Sequence, residues 1–279
     1  MNGNTIQKPI PLKRRKIIFP ENGIFPMDKK TDSKELFDKI ENELKEKQNY
    51  KPELTILEKH ELGKELIKCI QKNNEKKVKK LIKMGADLNV QDDEGDTALI
   101  MSYRKCRTVI SQMLINKGAN LNFQNRYGWT ALREAVKAND INFTKFLIEK
   151  GADLNVQDDE KNTALIWAVR KNNTKLSTLL IEKGADVNAK GEYERTSLMW
   201  ALKEANIEIA ELLIEKGADL NVQDNRKRTA LIWAVYYGNT KMVKLLVDKG
   251  AKVPFNFLHE IGFKNLIKYG IRKLKEVFA

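Results

Sequence analysis

Cysteine and histidine are scarce in this sequence of 279 residues, and their scarcity excludes several kinds of site. The two cysteines, Cys69 and Cys106, cannot build a disulfide framework or a zinc site of the usual spacing. The two histidines, His60 and His259, are far apart in the sequence and leave little material for histidine-based catalysis. A glycine-rich phosphate loop and a nucleophile elbow are also missing. We therefore expect no enzymatic activity, no metal and no cofactor.

Long hydrophobic runs are missing as well. No stretch approaches the roughly 20 apolar residues that cross a bilayer, and residues 1–11 lack the apolar core of a secretory signal. We therefore expect no membrane span and a cytoplasmic location. The basic run Lys13-Arg14-Arg15-Lys16 resembles a nuclear localisation signal, which leaves the nucleus open in a eukaryotic cell. Nonspecific contact with anions, or no role at all, is equally open for so short a run.

Acidic residues are fewer than basic ones, since 51 Lys and Arg against 38 Asp and Glu give a formal net charge of +13. Such an excess can indicate a nucleic-acid or acidic-membrane partner. Only 11 of the basic residues are arginines, however, and arginine is the side chain that pairs bidentately with phosphate. The 40 lysines and 25 asparagines also fit an AT-rich genome, with lysines on solvated helix faces. Composition alone leaves both interpretations open.

The sequence repeats itself every 33 residues, and this repeat decides the fold class. Two motifs keep the period: Lys-Gly-Ala or a near variant, and Thr-Ala-Leu or Thr-Ser-Leu. Two motifs locked to one period over five units are very improbable by chance. The glycines of the first motif are Gly85, Gly118, Gly151, Gly184, Gly217 and Gly250, and the threonines of the second are Thr97, Thr130, Thr163, Thr196 and Thr229.

One repeat contains two short amphipathic helices. In the third repeat, Thr163 stands at a helix N-cap, where its hydroxyl can accept from free backbone N–H groups. Residues 165–169 then carry an apolar stripe. Residues 176–181 carry a second stripe, which Gly184 ends in a left-handed conformation. Two helices of this length cannot bury a core alone, so neighbouring repeats must stack.

These features resemble the ankyrin repeat family over roughly residues 60–260. The resemblance rests on the 33-residue period, the Thr-x-Leu opening, a small residue five positions after each Thr and the Gly-Ala-Asp-x-Asn exit. It implies an all-α fold, an ankyrin-repeat α-solenoid of helix-turn-helix pairs with projecting β-hairpin loops and with capping helices at both ends. The sequence departs from the family at the glycine two positions before Thr, which is kept as Gly95 and Gly128 and replaced by Lys161, Glu194 and Lys227.

The same patterns predict five segments. Terminal repeats must shield the array from water, so atypical ends are expected. The helix near the N-terminus could dock on the first repeat or stay free to bind a partner helix. The segments are a disordered basic arm (1–31), an N-terminal helix and linker (32–52), an N-terminal capping repeat (53–94), five ankyrin repeats (95–254) and C-terminal capping helices (255–279).

The family works by noncovalent recognition, so the resemblance implies a non-enzymatic scaffold or adaptor, a monomer that binds another protein. The binding surface would be the concave face, which we define as the hairpin tips together with the first, inner helix of each repeat. Aromatic and arginine side chains there would supply interface hot spots. The candidates on hairpin tips are Arg126, Tyr127, Trp129, Tyr193, Arg195, Arg226 and Arg228, and those on inner-helix ends are Arg104, Lys137, Arg170, Tyr236 and Tyr237.

Two further features carry alternatives. Trp167, Trp200 and Trp233 stand four residues after their threonines, a position that the family packs between helices. We therefore favour a role in the core over an aromatic binding ladder. The basic inner-helix ends, with the N-terminal arm, could also accept a nucleic-acid backbone or an anionic surface, which is the alternative to a protein partner.

Overall fold

The computed structural model describes residues 54–252, together with Asp38 and Asn42, which are helical and exposed. The predicted basic arm, most of the predicted N-terminal helix and the predicted C-terminal capping helices lie outside the described residues. Within residues 54–252 the chain forms twelve α-helices joined by turns. This part of the chain has no strand, and only an isolated antiparallel bridge joins Gln91 to Thr97. The all-α prediction is confirmed.

The twelve helices form six antiparallel pairs, each made of an inner and an outer helix. The inner helices are α1 (Ile56–Gln71), α3 (Ala98–Arg104), α5 (Ala131–Lys137), α7 (Ala164–Arg170), α9 (Ser197–Lys203) and α11 (Ala230–Tyr236). The outer helices are α2 (Glu75–Met84), α4 (Thr108–Asn116), α6 (Ile141–Glu149), α8 (Thr174–Glu182), α10 (Ile207–Glu215) and α12 (Thr240–Asp248). Each inner helix packs on its outer partner and on the inner helix of the next pair.

Threonine starts the inner helices as the sequence predicts, but not through the same bond in every repeat. Thr163 Oγ1 accepts from the backbone N–H of Ile166 at 3.3 Å and so caps α7. The threonines before α9 and α11, Thr196 and Thr229, have the same extended backbone but make no such side-chain bond. At the far end of each pair a glycine closes the outer helix in the left-handed region, as Gly184 does with φ 89°.

The small residue five positions after each threonine lets the inner and outer helices approach. Ser102 shows what this position faces, because its hydroxyl lies 2.8 Å from that of Ser111 on α4. In the third repeat the position holds Ala168, which is fully buried beside Leu165 of the same helix. A larger side chain there would force the two helices apart. The equivalent Ala135, Ala201 and Ala234 are fully buried too.

The Gly-Ala-Asp-x-Asn exit ties each repeat to the next. Asp153 Oδ1 accepts from the backbone N–H of Asn155 at 2.8 Å, which shapes the exit turn. Asn155 Oδ1 in turn accepts from the backbone N–H of Asp186, one repeat later, at 2.8 Å. This bond sets the register between neighbours, so that equivalent residues of successive repeats lie side by side. It recurs between Asn89 and Asn120, Asn122 and Asp153, Asn188 and Asp219, and Asn221 and Lys252.

The unequal threonine caps give a matched pair of substitutions. Thr163→Val removes a working N-cap, so we expect the free energy of unfolding to fall by about 1 kcal/mol. Thr229→Val removes a buried hydroxyl that has no partner, so we expect no loss or a small gain in stability. Urea unfolding followed by circular dichroism measures both. An equal loss for the two variants would contradict the assigned capping roles.

Candidate partner-binding surface

A carboxylate or amide side chain builds most of the hairpin tips, and it is buried in Asn125, Asp158 and Asp224. In the third repeat, Asp158 Oδ1 accepts from the backbone N–H groups of Glu160 at 3.0 Å and Asn162 at 2.9 Å. The same pair of bonds forms at Asp92, Asn125 and Asp224. These hydrogen bonds fix the backbone of each turn. The side chains at its tip therefore project from the array in a defined position.

The tips differ in whether they keep glycine two positions before Thr. Gly128 has φ 70°, and a Cβ there would lie 2.6 Å from the backbone nitrogen of Asp159, so glycine is required. Lys161, Glu194 and Lys227 take the same left-handed conformation without glycine. Only the fourth tip has a second such residue, because Tyr193 also has a positive φ of 60°. Left-handed backbone is costly for side chains of this size, so the neighbouring contacts must hold Tyr193 in place.

The candidate residues divide into exposed and half-buried groups. Four tyrosines stand out because so much of each ring is open to solvent, up to 72% for Tyr236. The exposed candidates are Arg126, Tyr127, Lys137, Tyr193, Arg226, Tyr236 and Tyr237, and the half-buried ones are Arg104, Trp129, Arg170, Arg195 and Arg228.

Tryptophan and arginine side chains from successive repeats alternate along the concave face. The Arg133 guanidinium lies 3.7 Å from the ring centroid of Trp129 and 4.5 Å from that of Trp167. Arg170 lies 4.6 Å from the Trp167 centroid and 4.5 Å from that of Trp200. Each guanidinium therefore bridges two repeats through cation–π contacts.

The alternation continues to the fifth repeat. Arg195 lies 5.0 Å from the ring centroid of Trp200 and 4.8 Å from that of Trp233, and Arg228 closes the series 4.2 Å from Trp233. We call this series the Trp–Arg ladder. Its members in order are Trp129, Arg133, Trp167, Arg170, Trp200, Arg195, Trp233 and Arg228.

The ladder refines the interpretation of the tryptophans. Trp200 and Trp233 are buried, as favoured from the sequence, whereas Trp167 is half-buried. All three pack against guanidinium groups. Sequence reasoning missed Arg133, which is only 6% exposed and stands between two of the rings. A signal was present: the residue three positions after Thr is Ile100, Ile166, Met199 or Ile232 in the other repeats. An arginine in an otherwise aliphatic position indicates a special contact.

Carboxylates lie within ion-pair distance of four arginines of this face, of which Arg133 is the most distant, 3.9 Å from Asp158. Arg104 pairs with Asp96 and, at 2.9 Å, with Glu134. Arg170 lies 3.0 Å from Glu192, and Arg228 lies 2.8 Å from Asp224. Paired arginines offer little net charge to a phosphate backbone. The nucleic-acid alternative therefore gains no support from this geometry.

Two tip aspartates also accept from the tryptophans. Trp167 Nε1 donates to Asp158 Oδ2 at 2.6 Å, and Trp233 Nε1 donates to Asp224 Oδ2 at 3.3 Å. Burial alone would raise the pKa of the Asp224 carboxyl, but hydrogen bonds from the backbone and side chain of Arg228 outweigh it and lower that pKa. Asp224 therefore holds its tip, its arginine and its tryptophan together as an anion.

Exposed aromatic rings extend the ladder at its C-terminal end. The Trp233 and Tyr237 rings stack with centroids 5.7 Å apart, and Tyr236 meets Tyr237 edge-on at 5.1 Å. On the other side, the Arg195 guanidinium lies 4.8 Å from the Tyr193 ring centroid. The result is a continuous cationic and aromatic patch with three exposed tyrosines. At the second tip, Tyr127 and Trp129 form a smaller pair, with centroids 5.0 Å apart.

Among residues 54–252, no three His, Cys, Asp or Glu side chains gather closely enough to hold a metal ion. Across this range none of the helices has the length and apolar character that crossing a membrane requires.

Comparison with known families agrees with the repeat pattern. The family described as ankyrin repeats (three copies) matches residues 66–158, 153–224 and 193–257. Together these matches cover more than half of the chain and contain every candidate residue. No curated protein matches the sequence.

The lowered pKa of Asp224 predicts how stability depends on pH. Because the folded pKa lies below the ordinary value, the contribution is complete above the ordinary value and is lost as pH falls through the folded pKa. Asp224→Asn should therefore lower the free energy of unfolding by about 2–3 kcal/mol near neutral pH. The difference from the natural chain should shrink on acidification. Denaturant titrations at several pH values measure it.

Asp93→Asn is the matched control, because Asp93 is exposed at a tip and makes no hydrogen bond or ion pair among the described residues. Its effect should stay within about 0.5 kcal/mol at every pH. An Asp224→Asn loss that is independent of pH would show that the charge of Asp224 is not what stabilises the tip.

Proposed function

The chain belongs to the ankyrin repeat family, and we propose that it is a non-enzymatic scaffold or adaptor that recognises a protein partner through its concave face. Ankyrin repeats are generally protein–protein interaction modules, which supports the protein partner over other ligand classes. The cytoplasmic location and monomeric state expected from the sequence are part of this proposal.

The exposed tyrosines are the observation that carries the proposal. Tyr127 and Tyr193 project from tips with about half of each side chain exposed, and Tyr236 is 72% exposed at the end of α11. Tyrosine and arginine are enriched in interface hot spots, since they combine large contact area with hydrogen-bonding capacity. Exposed side chains of this kind gathered on one face are typical of a binding surface rather than of a solvated one.

The Trp–Arg ladder makes that surface rigid before any partner arrives. Arg170 is held between the rings of Trp167 and Trp200 and is paired with Glu192. A side chain that is already fixed loses little rotamer freedom on binding, so more of the contact energy appears as affinity. We infer that the tyrosines supply the contacts and the ladder holds them in position.

A triple variant tests the function. Tyr127→Ala, Tyr193→Ala and Tyr236→Ala together remove exposed rings without replacing any residue of the Trp–Arg ladder or the core. We expect the free energy of unfolding to change by less than about 1 kcal/mol, since these are exposed positions. Capture of the protein partner from an extract of the source organism should weaken about tenfold or more, because hot-spot truncations cost more than about 1 kcal/mol each.

The control carries three substitutions on outer helices, Lys145→Ala, Lys175→Ala and Lys244→Ala, all at exposed positions. It should capture the same partner as the natural chain. Capture that survives the tyrosine changes and fails in the lysine variant would place the binding surface on the outer helices and sink the proposal.

A further inference from the structure

The fourth hairpin tip lacks the side chain that completes its neighbours. The residue that caps the tip is Asp158 in the third repeat, Gly191 in the fourth and Asp224 in the fifth. Asp224 Oδ2 accepts from two donors, Arg228 Nε at 3.0 Å and Trp233 Nε1 at 3.3 Å. The equivalent donors of the fourth repeat, 33 residues earlier, are Arg195 Nε and Trp200 Nε1.

Both of these donors are buried and have no acceptor. Trp200 is only 4% exposed, and bulk solvent does not reach its indole nitrogen. Buried donors without an acceptor are rare because each loses its bond to water without gaining another. Arg195 is also the one arginine of the Trp–Arg ladder that has no carboxylate within ion-pair distance among residues 54–252.

Another side chain stabilises the turn at Gly191, but no carboxylate of residues 54–252 takes the role that Asp158 and Asp224 have in the neighbouring repeats. Asn162 reaches across from the third repeat, and its Oδ1 accepts from the backbone N–H of Glu192 at 3.1 Å. A Cβ on residue 191 would collide with Asn162 Oδ1 and would lie 2.9 Å from Ile166 Cδ1. Glycine is thus required by the close approach of Asn162. The backbone of the tip is satisfied, while Arg195 and Trp200 are left without their anion.

We propose that the Gly191 tip is a carboxylate-binding subsite of the concave face. An Asp or Glu side chain of the protein partner supplies the carboxylate oxygen that Asp224 Oδ2 provides in the fifth repeat, and it accepts from Trp200 Nε1 and Arg195 Nε. Asn162 and Ile166 fill the space of a side chain on residue 191, so this oxygen comes from outside the tip. The subsite rests on the proposed protein-binding function and names the chemistry that the partner presents there.

The surroundings favour a carboxylate over a phosphate. The adjacent repeats fill the equivalent place with a carboxylate oxygen, so its size and planarity fit the position. Glu192 and Glu194 flank the tip and are half-buried, and they would repel a doubly charged phosphate more strongly than a single carboxylate. Burial and the nearby Arg228 charge lower the pKa of Arg195, as expected for a cation that lacks a counter-ion.

Entry of the carboxylate requires one side chain to move. Arg195 covers the Trp200 ring and has no ion pair among residues 54–252 to hold it, whereas Arg228 is fixed by Asp224. The half-exposed Tyr193 beside Arg195 then flanks the entrance and can contact the incoming chain. The partner's acidic side chain would give up hydrogen bonds to water. It would gain hydrogen bonds from two donors that have no acceptor in the described part of the free protein.

Tryptophan indole signals in a two-dimensional proton–nitrogen NMR spectrum test the subsite directly. The chain has four tryptophans, and the Trp200 signal is identified by its loss in Trp200→Phe. The full chain is titrated with a capped hexaglutamate peptide, with capped hexaglutamine and inorganic phosphate as comparisons at matched ionic strength. We expect hexaglutamate to shift the Trp200 signal downfield and saturably. Trp167 and Trp233 should not move, because they already donate to Asp158 and Asp224.

Three results would overturn the subsite: a stationary Trp200 signal at millimolar hexaglutamate, parallel shifts of all four indoles, or an equal response to hexaglutamine. A larger Trp200 shift with phosphate than with hexaglutamate would overturn the choice of a carboxylate.

Two variants separate a binding role from a structural one. Arg195→Gln keeps the stem of the side chain and should weaken hexaglutamate binding about tenfold. Asn162→Ala combined with Gly191→Asp supplies the missing carboxylate from within the chain. Its Trp200 signal should lie downfield without peptide and should not respond to hexaglutamate. If this double variant fails to fold, the affinity of Arg195→Gln for hexaglutamate decides whether the subsite binds carboxylates.

Capture of the protein partner distinguishes failure of the subsite from failure of the function. Normal capture by Arg195→Gln would contradict the subsite but not the proposed function. Normal capture by the triple tyrosine variant would contradict the proposed function.

Discussion

Stacking is the constraint on which every other feature of this chain depends, because no single repeat can bury its apolar surface alone. The bond from each exit asparagine to the next repeat, such as Asn155 Oδ1 to the N–H of Asp186, fixes the register at 33 residues. Side chains at equivalent positions then lie in columns across the array. A column of small residues closes the helix pairs, and a column of threonines starts the inner helices. This register therefore sets the geometry of the concave face.

Because equivalent residues lie in columns, a repeat that differs from its neighbours at one position can be recognised by its chemistry. The tip column reads Asp158, Gly191 and Asp224 in consecutive repeats, and the change at its middle member leaves Trp200 and Arg195 without an acceptor. In an irregular protein an unpaired indole would carry little meaning. Here the neighbouring repeats show which group belongs beside it and how far away it sits. Repetition therefore serves as an internal reference for detecting a site.

The sequence predicts the repeat, the fold class and the positions of the helix ends, because these follow from spacing and from local capping rules. The candidate positions also follow from spacing: Tyr127 and Tyr193 lie at tips and Tyr236 at an inner-helix end, and all three are exposed. The Trp–Arg ladder could not be predicted in the same way. Arg133 reaches Trp167 of the next repeat, a contact set by the stacking distance and by side-chain rotamers. Neither quantity can be read from a linear pattern.

Site-specific photo-crosslinking tests most directly whether the concave face binds the protein partner. A photoreactive phenylalanine derivative is placed singly at Tyr193 or Tyr236 on the concave face, or at Lys175 or Lys244 on outer helices. Binding through the concave face predicts that the first two positions form a covalent adduct with one and the same protein and that the last two do not. Adducts formed from the outer helices and absent from Tyr193 and Tyr236 would contradict it.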